Sequence, residues 1–461
     1  MLCLLLVCKK TLFQQRIITP SPQLHFSFLS EATISNLRGT FEHLKQTQYR
    51  YDFPRGHPLN SQIPSITYIN DGSFEQPLQV GHVPQSVTQL SLTVFNQPLQ
   101  VGHIPQSVTQ LSLVMFNQPL QVGHIPQSVT QLSLEMFNQP LQVGHIPQSV
   151  TQLSLGMFNQ PLQVGHIPQS VTQLVFECFN QPLQVGHIPE SVTQLTLYGL
   201  DQPLQFGHIP QSVTQLVFDC FNQPLQVGHI PQSVTQLTLY GLDQPLQVGH
   251  IPQSVTQLTL NKFNQPLQVG HIPQSVTQLT LEMFNQPLQV GHIPHSVTQL
   301  TLEMFNQPLQ VGHIPQSVMR LIFGPLFNQP ITTKNVPSFT SLTILCGLFS
   351  PKNLCLSGHK FLNSLSIVYK HKQSFPLQSD TFTKMRNLSH LIIKVFEYPP
   401  KTIGSGIFGV AISFLRQTLK TIPTITLQFK GGPEIIWRLV NERTALIVIS
   451  KADHEGIISF W

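Results

Sequence analysis

Charge is what this chain has least of. Asp, Glu, Lys and Arg together make up 9% of its 461 residues, against about 25% in an ordinary soluble domain. Residues 74–326 hold nine acids and two bases, while the segments before and after them carry net charges of +3 and +9. A nucleic-acid binder needs a dense Lys/Arg stripe, and none is present, so no nucleic-acid partner is expected. Apolar runs are short as well. None approaches the roughly 18 residues of a membrane span, and no membrane partner is expected. The opening MLCLLLVCKK has its lysines after the apolar stretch and no small-residue cleavage site follows, so it does not read as a secretory signal. The six cysteines form no disulfide framework. Cys346 and Cys355 lack the second His/Cys pair that zinc requires, so no metal site is expected and reduced thiols point to the cytoplasm. Neither a Gly-rich phosphate loop nor a G-x-S-x-G elbow occurs. No catalytic residue and no cofactor are expected, and the chain does not read as an enzyme.

What the chain does have is repetition. FNQPLQVGHIPQSVTQLSLVM begins at Phe95 and returns nearly unchanged from Phe116, Phe137 and Phe158. Twelve copies with a 21-residue period start between positions 74 and 305, and a looser one starts at Phe327. A fixed period of this length marks a solenoid and is too short for a propeller blade. Within one copy the apolar positions are Val87, Leu90, Leu92, Phe95, Leu99, Val101 and Ile104, all read as interior. Leu90-Ser91-Leu92 alternates as a half-buried strand should. Pro98, Pro105 and Gly102 exclude a long helix through the remainder, which is read as turns and extended segments. One copy cannot hide seven apolar side chains alone, whereas stacked copies bury them in a column. Parallel strands about 4.8 Å apart would make twelve copies about 55–60 Å long.

These residues carry a family resemblance. FNQPL followed by GHIPQSVTQLSL resembles the FNIP repeat, a leucine-rich-repeat-like unit known chiefly from social amoebae. The resemblance spans residues 74 to about 345. It implies a β-rich solenoid of short parallel strands and an interaction role with no catalytic residues. Val87, Leu90 and Leu92 fit the ordinary leucine-rich pattern, but Asn96 falls one place late, which leaves the curvature open and a parallel β-helix as the alternative. The domain reading is an N-terminal cap or linker over 1–73, the repeat solenoid over 74–345, and a divergent repeat-like C-terminal cap over 346–461. In that last segment, runs such as Leu365-Ser366-Ile367-Val368 read as strands, and Ala411 to Lys420 as one short helix.

The polar columns suggest roles. Asn96 and its equivalents become Asp201 and Asp243 in two copies, which keeps the acceptor oxygen and loses the amide donors. Their task is therefore read as accepting backbone N–H bonds in a turn. Histidine recurs twelve times after the glycine, from His82 to His313. It is read as an exposed neutral turn residue whose pKa falls below about 6.5 because stacked imidazolium ions repel.

One column varies from copy to copy. It starts at Thr93 and holds Glu135, Glu177, Tyr198, Asp219, Tyr240, Glu282 and Glu303. By alternation it lies on the outward strand face with Gln89 and Ser91, the face solenoids present to partners. The expected function is a non-enzymatic protein–protein interaction scaffold, with those seven residues as the candidate contacts. A second reading stands beside it. Residues 175–202 recur almost unaltered at 217–244, as though a two-copy block had been duplicated, so the array is alternatively a structural or dispensable product of repeat expansion with no specific ligand.

Overall fold

The computed structural model describes residues 50–51, 68–332, 334–337, 341–346, 354–355, 362, 364–369, 388–395, 424–429, 434–441, 444–449 and 455–459. The opening decapeptide and the Ala411–Lys420 segment lie outside them. Two compact units are present, Met1–Gln202 with His208–Val213, and Pro203–Gly207 with Thr214–Trp461.

In the first unit each copy contributes one short strand. The strands are β1 (Arg50–Tyr51), β2 (Tyr68–Asp71), β3 (Gln89–Leu92), β4 (Gln110–Leu113), β5 (Gln131–Leu134), β6 (Gln152–Leu155), β7 (Gln173–Phe176) and β8 (Gln194–Tyr198). They pair in parallel and in register, so that Leu90 faces Leu111 and Ser91 faces Ser112. The sequence period fixes this register, because a slip of one residue would turn every Leu of the strand to solvent. Val87, Leu90, Leu92, Phe95, Leu99 and Ile104 are all buried as expected.

The rings of the Phe column stack almost parallel, with centroids 6.2 Å apart for Phe95 and Phe116 and 6.3 Å apart for Phe137 and Phe158. Equivalent atoms of adjacent strands are separated by only about 4.8 Å. The copies therefore fan apart on the Phe side and close up on the strand side, which makes the strand face concave. A parallel β-helix stacks straight and carries several strands per coil. One strand per copy and a fanned stack give the leucine-rich-repeat-like form.

Val101 departs from expectation. It is 68% exposed, and its column equivalents behave alike. The cause is the turn Gln100-Val101-Gly102-His103. Gly102 takes φ +88°, and the His103 N–H donates to the Gln100 carbonyl at 3.1 Å. This is a type II turn, which needs glycine at its third position. It directs Val101 outward and sends His103 inward. The exposed valine then lies over the glycine of the next copy: a Cβ placed on Gly123 would sit 3.4 Å from Val101 Cγ2.

The asparagine column accepts backbone N–H bonds, and it does so between copies. Asn96 Oδ1 accepts the Asn117 N–H at 2.9 Å and the Gln118 side-chain amide at 3.2 Å, and Asn117 and Asn138 repeat the pattern. In the second unit Asp243 Oδ1 accepts the Asn264 N–H at 3.0 Å, so the carboxylate performs the same task.

The second unit continues with β9 (Gln215–Asp219), β10 (Gln236–Leu239), β11 (Gln257–Leu260), β12 (Gln278–Leu281), β13 (Gln299–Leu302) and β14 (Arg320–Phe323). Next come β15 (Ile331–Thr332), β16 (Ser341–Cys346), β17 (Leu354–Cys355), β18 (Ser364–Tyr369), β19 (His390–Val395) and β20 (Thr424–Phe429). Parallel pairing runs from β9 through β14, β16 and β18 to β20, while β15 pairs separately with β17. The last strands, β21 (Glu434–Asn441), β22 (Thr444–Ile449) and β23 (Glu455–Ser459), are antiparallel. A strand therefore stands where the alternating run at 365–368 predicts one, and the apolar runs at 342–345, 391–393, 425–427 and 446–449 likewise lie in strands.

The ladder gives a mutational expectation. Asn138→Ala removes the acceptor for Asn159 N–H and Gln160 Nε2 and should destabilise the fold by about 1 kcal/mol, the net worth of a typical hydrogen bond. Asn138→Asp keeps the acceptor and should fall within about 0.5 kcal/mol of the parent. Urea unfolding midpoints of the two variants check this, and equal losses would contradict it.

Candidate functional site

The outward side chains of β3–β7 form an open groove of about 440 Å³ in the first unit. It is lined by the glutamines that begin each strand (Gln89, Gln110, Gln131, Gln152 and Gln173) and by Ser91, Ser112, Ser133 and Ser154. Tyr68 and Val175 also line it. Two causes produce the groove. The strand side of the stack is concave, and four successive copies carry serine where later copies carry Val175, Thr196, Thr238 or Thr259. The groove is uncharged, and its Gln amides offer both donors and acceptors at the strand spacing. The smallness of Ser at this column was its sequence signal.

The variable column lies at the C-terminal ends of the strands. Its backbone continues the ladder, with the Val114 N–H donating to Leu92 O at 3.2 Å and the Glu177 N–H to Leu155 O at 3.3 Å. Glu135 and Glu177 are exposed, and Tyr198, the last residue of β8, is half-buried on the outward side of the alternation. In the second unit Asp219 ends β9 in the same way, and Tyr240, Glu282 and Glu303 are half-buried. Glu282 Oε2 accepts a bond from Asn261 Nδ2. Not every position of the column varies freely. A Cβ on Gly156 would lie 2.2 Å from the Glu135 carbonyl oxygen, so glycine there answers a close approach of backbone.

The histidines of the turn column are not exposed. His103 is 6% exposed and its equivalents through His313 are likewise buried. The type II turn accounts for this. Its first residue needs a partner for its own N–H, and the imidazole that closes the turn supplies one: Gln100 N–H donates to His103 Nδ1 at 3.1 Å, and Gln121 and Gln142 to His124 and His145 at 3.2 Å. A ring accepting at Nδ1 is neutral and carries its proton on Nε2. Burial holds the pKa of His124 below its usual value, and the neighbouring His103 and His145 lower it further. His187 and His292 behave alike, with burial first and flanking imidazoles second. The direction matches the expectation, but its main cause is desolvation and not repulsion.

Among the described residues no cluster of His, Cys, Asp and Glu is arranged to hold a metal ion, and no helix is long and apolar enough to cross a membrane. The FNIP Repeat profile matches ten overlapping stretches from residues 74–115 through 305–346. The chain belongs to the FNIP repeat family. No curated protein sequence matches it. Among solved structures, the FNIP chain is similar to CroV588, described as a novel circular leucine-rich-repeat protein. The TM-score is 0.59 at 24% identity, covering 83% of this chain and 64% of CroV588. The chain thus spans less than two thirds of that protein, and the likeness is one of fold. It also resembles the leucine-rich effector YopM of Yersinia pestis, at 13% identity and TM-score 0.44, over 74% of this chain and 99% of YopM.

The FNIP histidines predict a pH dependence. Their folded pKa values are lowered, so the unfolded chain binds protons more readily and takes them up first as pH falls. The stability they support is fully present above the unfolded value of about 6.5 and is lost as pH drops below it. Each proton gained at Nδ1 would also set two donors face to face. Urea midpoints should hold between pH 8 and 7 and decline from pH 6.5 to 5. A flat profile across that lower range would contradict the assignment.

Proposed function

We propose that the chain is a non-enzymatic protein–protein interaction scaffold that binds its partner on the concave strand face. The observation that carries this reading is the open Gln/Ser groove of the first unit. It is a preformed, uncharged, accessible trough with a regular row of hydrogen-bonding amides, and it costs a ligand little desolvation of charge. Residues of the variable column, with Glu135 and Glu177 in the first unit, give the strand ends a chemical signature that the uniform Gln column lacks. Tyr198 and Tyr240 belong to a residue type enriched at interfaces. Asp219, Glu282 and Glu303 complete the acidic set. The occupant is taken to be a protein, in keeping with the leucine-rich-repeat-like fold. The exposed thiol of Cys178 suits a reducing compartment such as the cytoplasm.

The expansion reading has its own observation. The block 175–202 and its copy at 217–244 share a packing exchange. Phe176 takes a strand position held by Leu155 in the copy before, and Leu200 takes the place of a column Phe in the copy after; Phe218 and Leu242 repeat this. Phe176 stacks on Phe158 and Phe179 at 5.9 and 4.8 Å. Such compensation lets a pair of copies spread as a unit without any ligand.

Affinity capture followed by direct measurement separates the two. A partner is captured with the intact chain, purified, and titrated against two variants that fold as the parent does. One carries Ser112→Tyr and Ser133→Tyr, which fill the groove; the other carries Lys at Glu135, Glu177, Asp219, Glu282 and Glu303. The scaffold reading expects Kd to rise at least about tenfold with each, equivalent to about 1.4 kcal/mol. Partners bound equally by all three chains would overturn it in favour of expansion or of binding elsewhere.

A further inference from the structure

Next to the variable column runs a second one, and in the first unit it is a column of sulfur. Met115, Met136 and Met157 follow one another in consecutive copies, and Cys178 takes the same position in the copy after. The three methionines are 46%, 44% and 45% exposed. Cys178 is an exposed free thiol. Its Sγ donates to Met157 Sδ at 3.6 Å.

That separation suits a shared metal ion. A first-row metal bonded to both sulfurs at about 2.3 Å would subtend about 100° between them, close to the angles of trigonal and tetrahedral coordination. Thioether and thiolate are soft donors, and this pairing selects copper(I) over the harder divalent ions. The ladder holds the two backbones one copy apart, so the donors come together without ordering a loop. Met136 follows in the same column one copy further along. We propose that Met157 and Cys178 form a surface site for a soft monovalent cation of the copper(I) class. Binding forms a metal–thiolate bond and releases the thiol proton to solvent. The positive charge of the ion is cancelled by the thiolate, so no carboxylate is needed. The proposal is independent of what the strand face binds.

The chain contains its own comparison. Cys220 occupies the same column position, and the copies on either side of it carry Gly199 and Gly241 where Met157 precedes Cys178. Copper(I) is supplied to the full-length reduced protein under a chelator that sets its free concentration. Thiols left unprotected are alkylated, and labelling at each cysteine is read by mass spectrometry of peptides cut after acidic residues. Glu177 and Asp219 place such cuts directly before the two cysteines. Half-protection of Cys178 is expected at a free copper(I) concentration at least about tenfold below that of Cys220. Met157→Leu, an isosteric change at an exposed side chain, should bring the two within about threefold while leaving Cys220 where it was. Equal protection of the two cysteines in the parent chain, or a Met157→Leu chain that keeps the full preference for Cys178, would overturn the site.

Discussion

The structure depends on one requirement: every backbone N–H of a copy that its own turn cannot satisfy must find an acceptor in a neighbouring copy. The strand meets this through the parallel ladder. The Phe-Asn-Gln-Pro segment has no strand partner, and proline interrupts it. There the side chain of Asn96, Asn117 or Asn138 takes the place of a carbonyl and accepts the N–H of the next copy's asparagine. The type II turn closes on itself, with histidine Nδ1 as the acceptor for the first residue. A buried donor without a partner costs about 1–3 kcal/mol, and a chain with twelve copies would multiply any such defect. The Asn and His columns answer this requirement.

The same geometry sets what the molecule can offer a partner. Phe rings spaced at 6.2–6.3 Å behind the sheet in the first unit open the stack on that side and bend the strand face inward. Serine in four successive copies then leaves room along the bend. The groove is therefore a product of the core column on one side and small side chains on the other. Residues that vary between copies stand at the strand ends, where a change of side chain leaves the ladder intact. Gly156 and Gly324 are exceptions, because the carbonyl oxygens of Glu135 and Glu303 would meet any side chain placed there.

Much of this was legible in the sequence. The period gave the number of copies, the Leu-x-Leu alternation gave the strands, and the Asn-to-Asp exchange at 201 and 243 revealed that the acceptor oxygen was the functional part. The errors share a cause. Inside the turn, hydrophobicity alone places Val101 in the interior and His103 in solvent. Backbone conformation decides there, and Gly102 at φ +88° reverses the two. The groove is only half legible in the sequence: the small Ser column is visible there, whereas the curvature depends on the spacing of ring centroids and has no counterpart in the pattern of a single copy. The Cys178–Met157 contact escaped for a related reason: residues 21 apart become neighbours only once the register is known.

Hydrogen exchange tests the central claim most directly. The backbone amides of Asn117, Asn138 and Asn159 lie outside the strands, and their acceptors are side-chain oxygens of neighbouring copies. If the inter-copy ladder holds the array, these amides are protected to a degree comparable with the strand amides of Leu111, Leu132 and Leu153, and Asn138→Ala selectively releases Asn159. Asparagine amides that exchange as fast as an open loop while the strands stay protected would contradict the account.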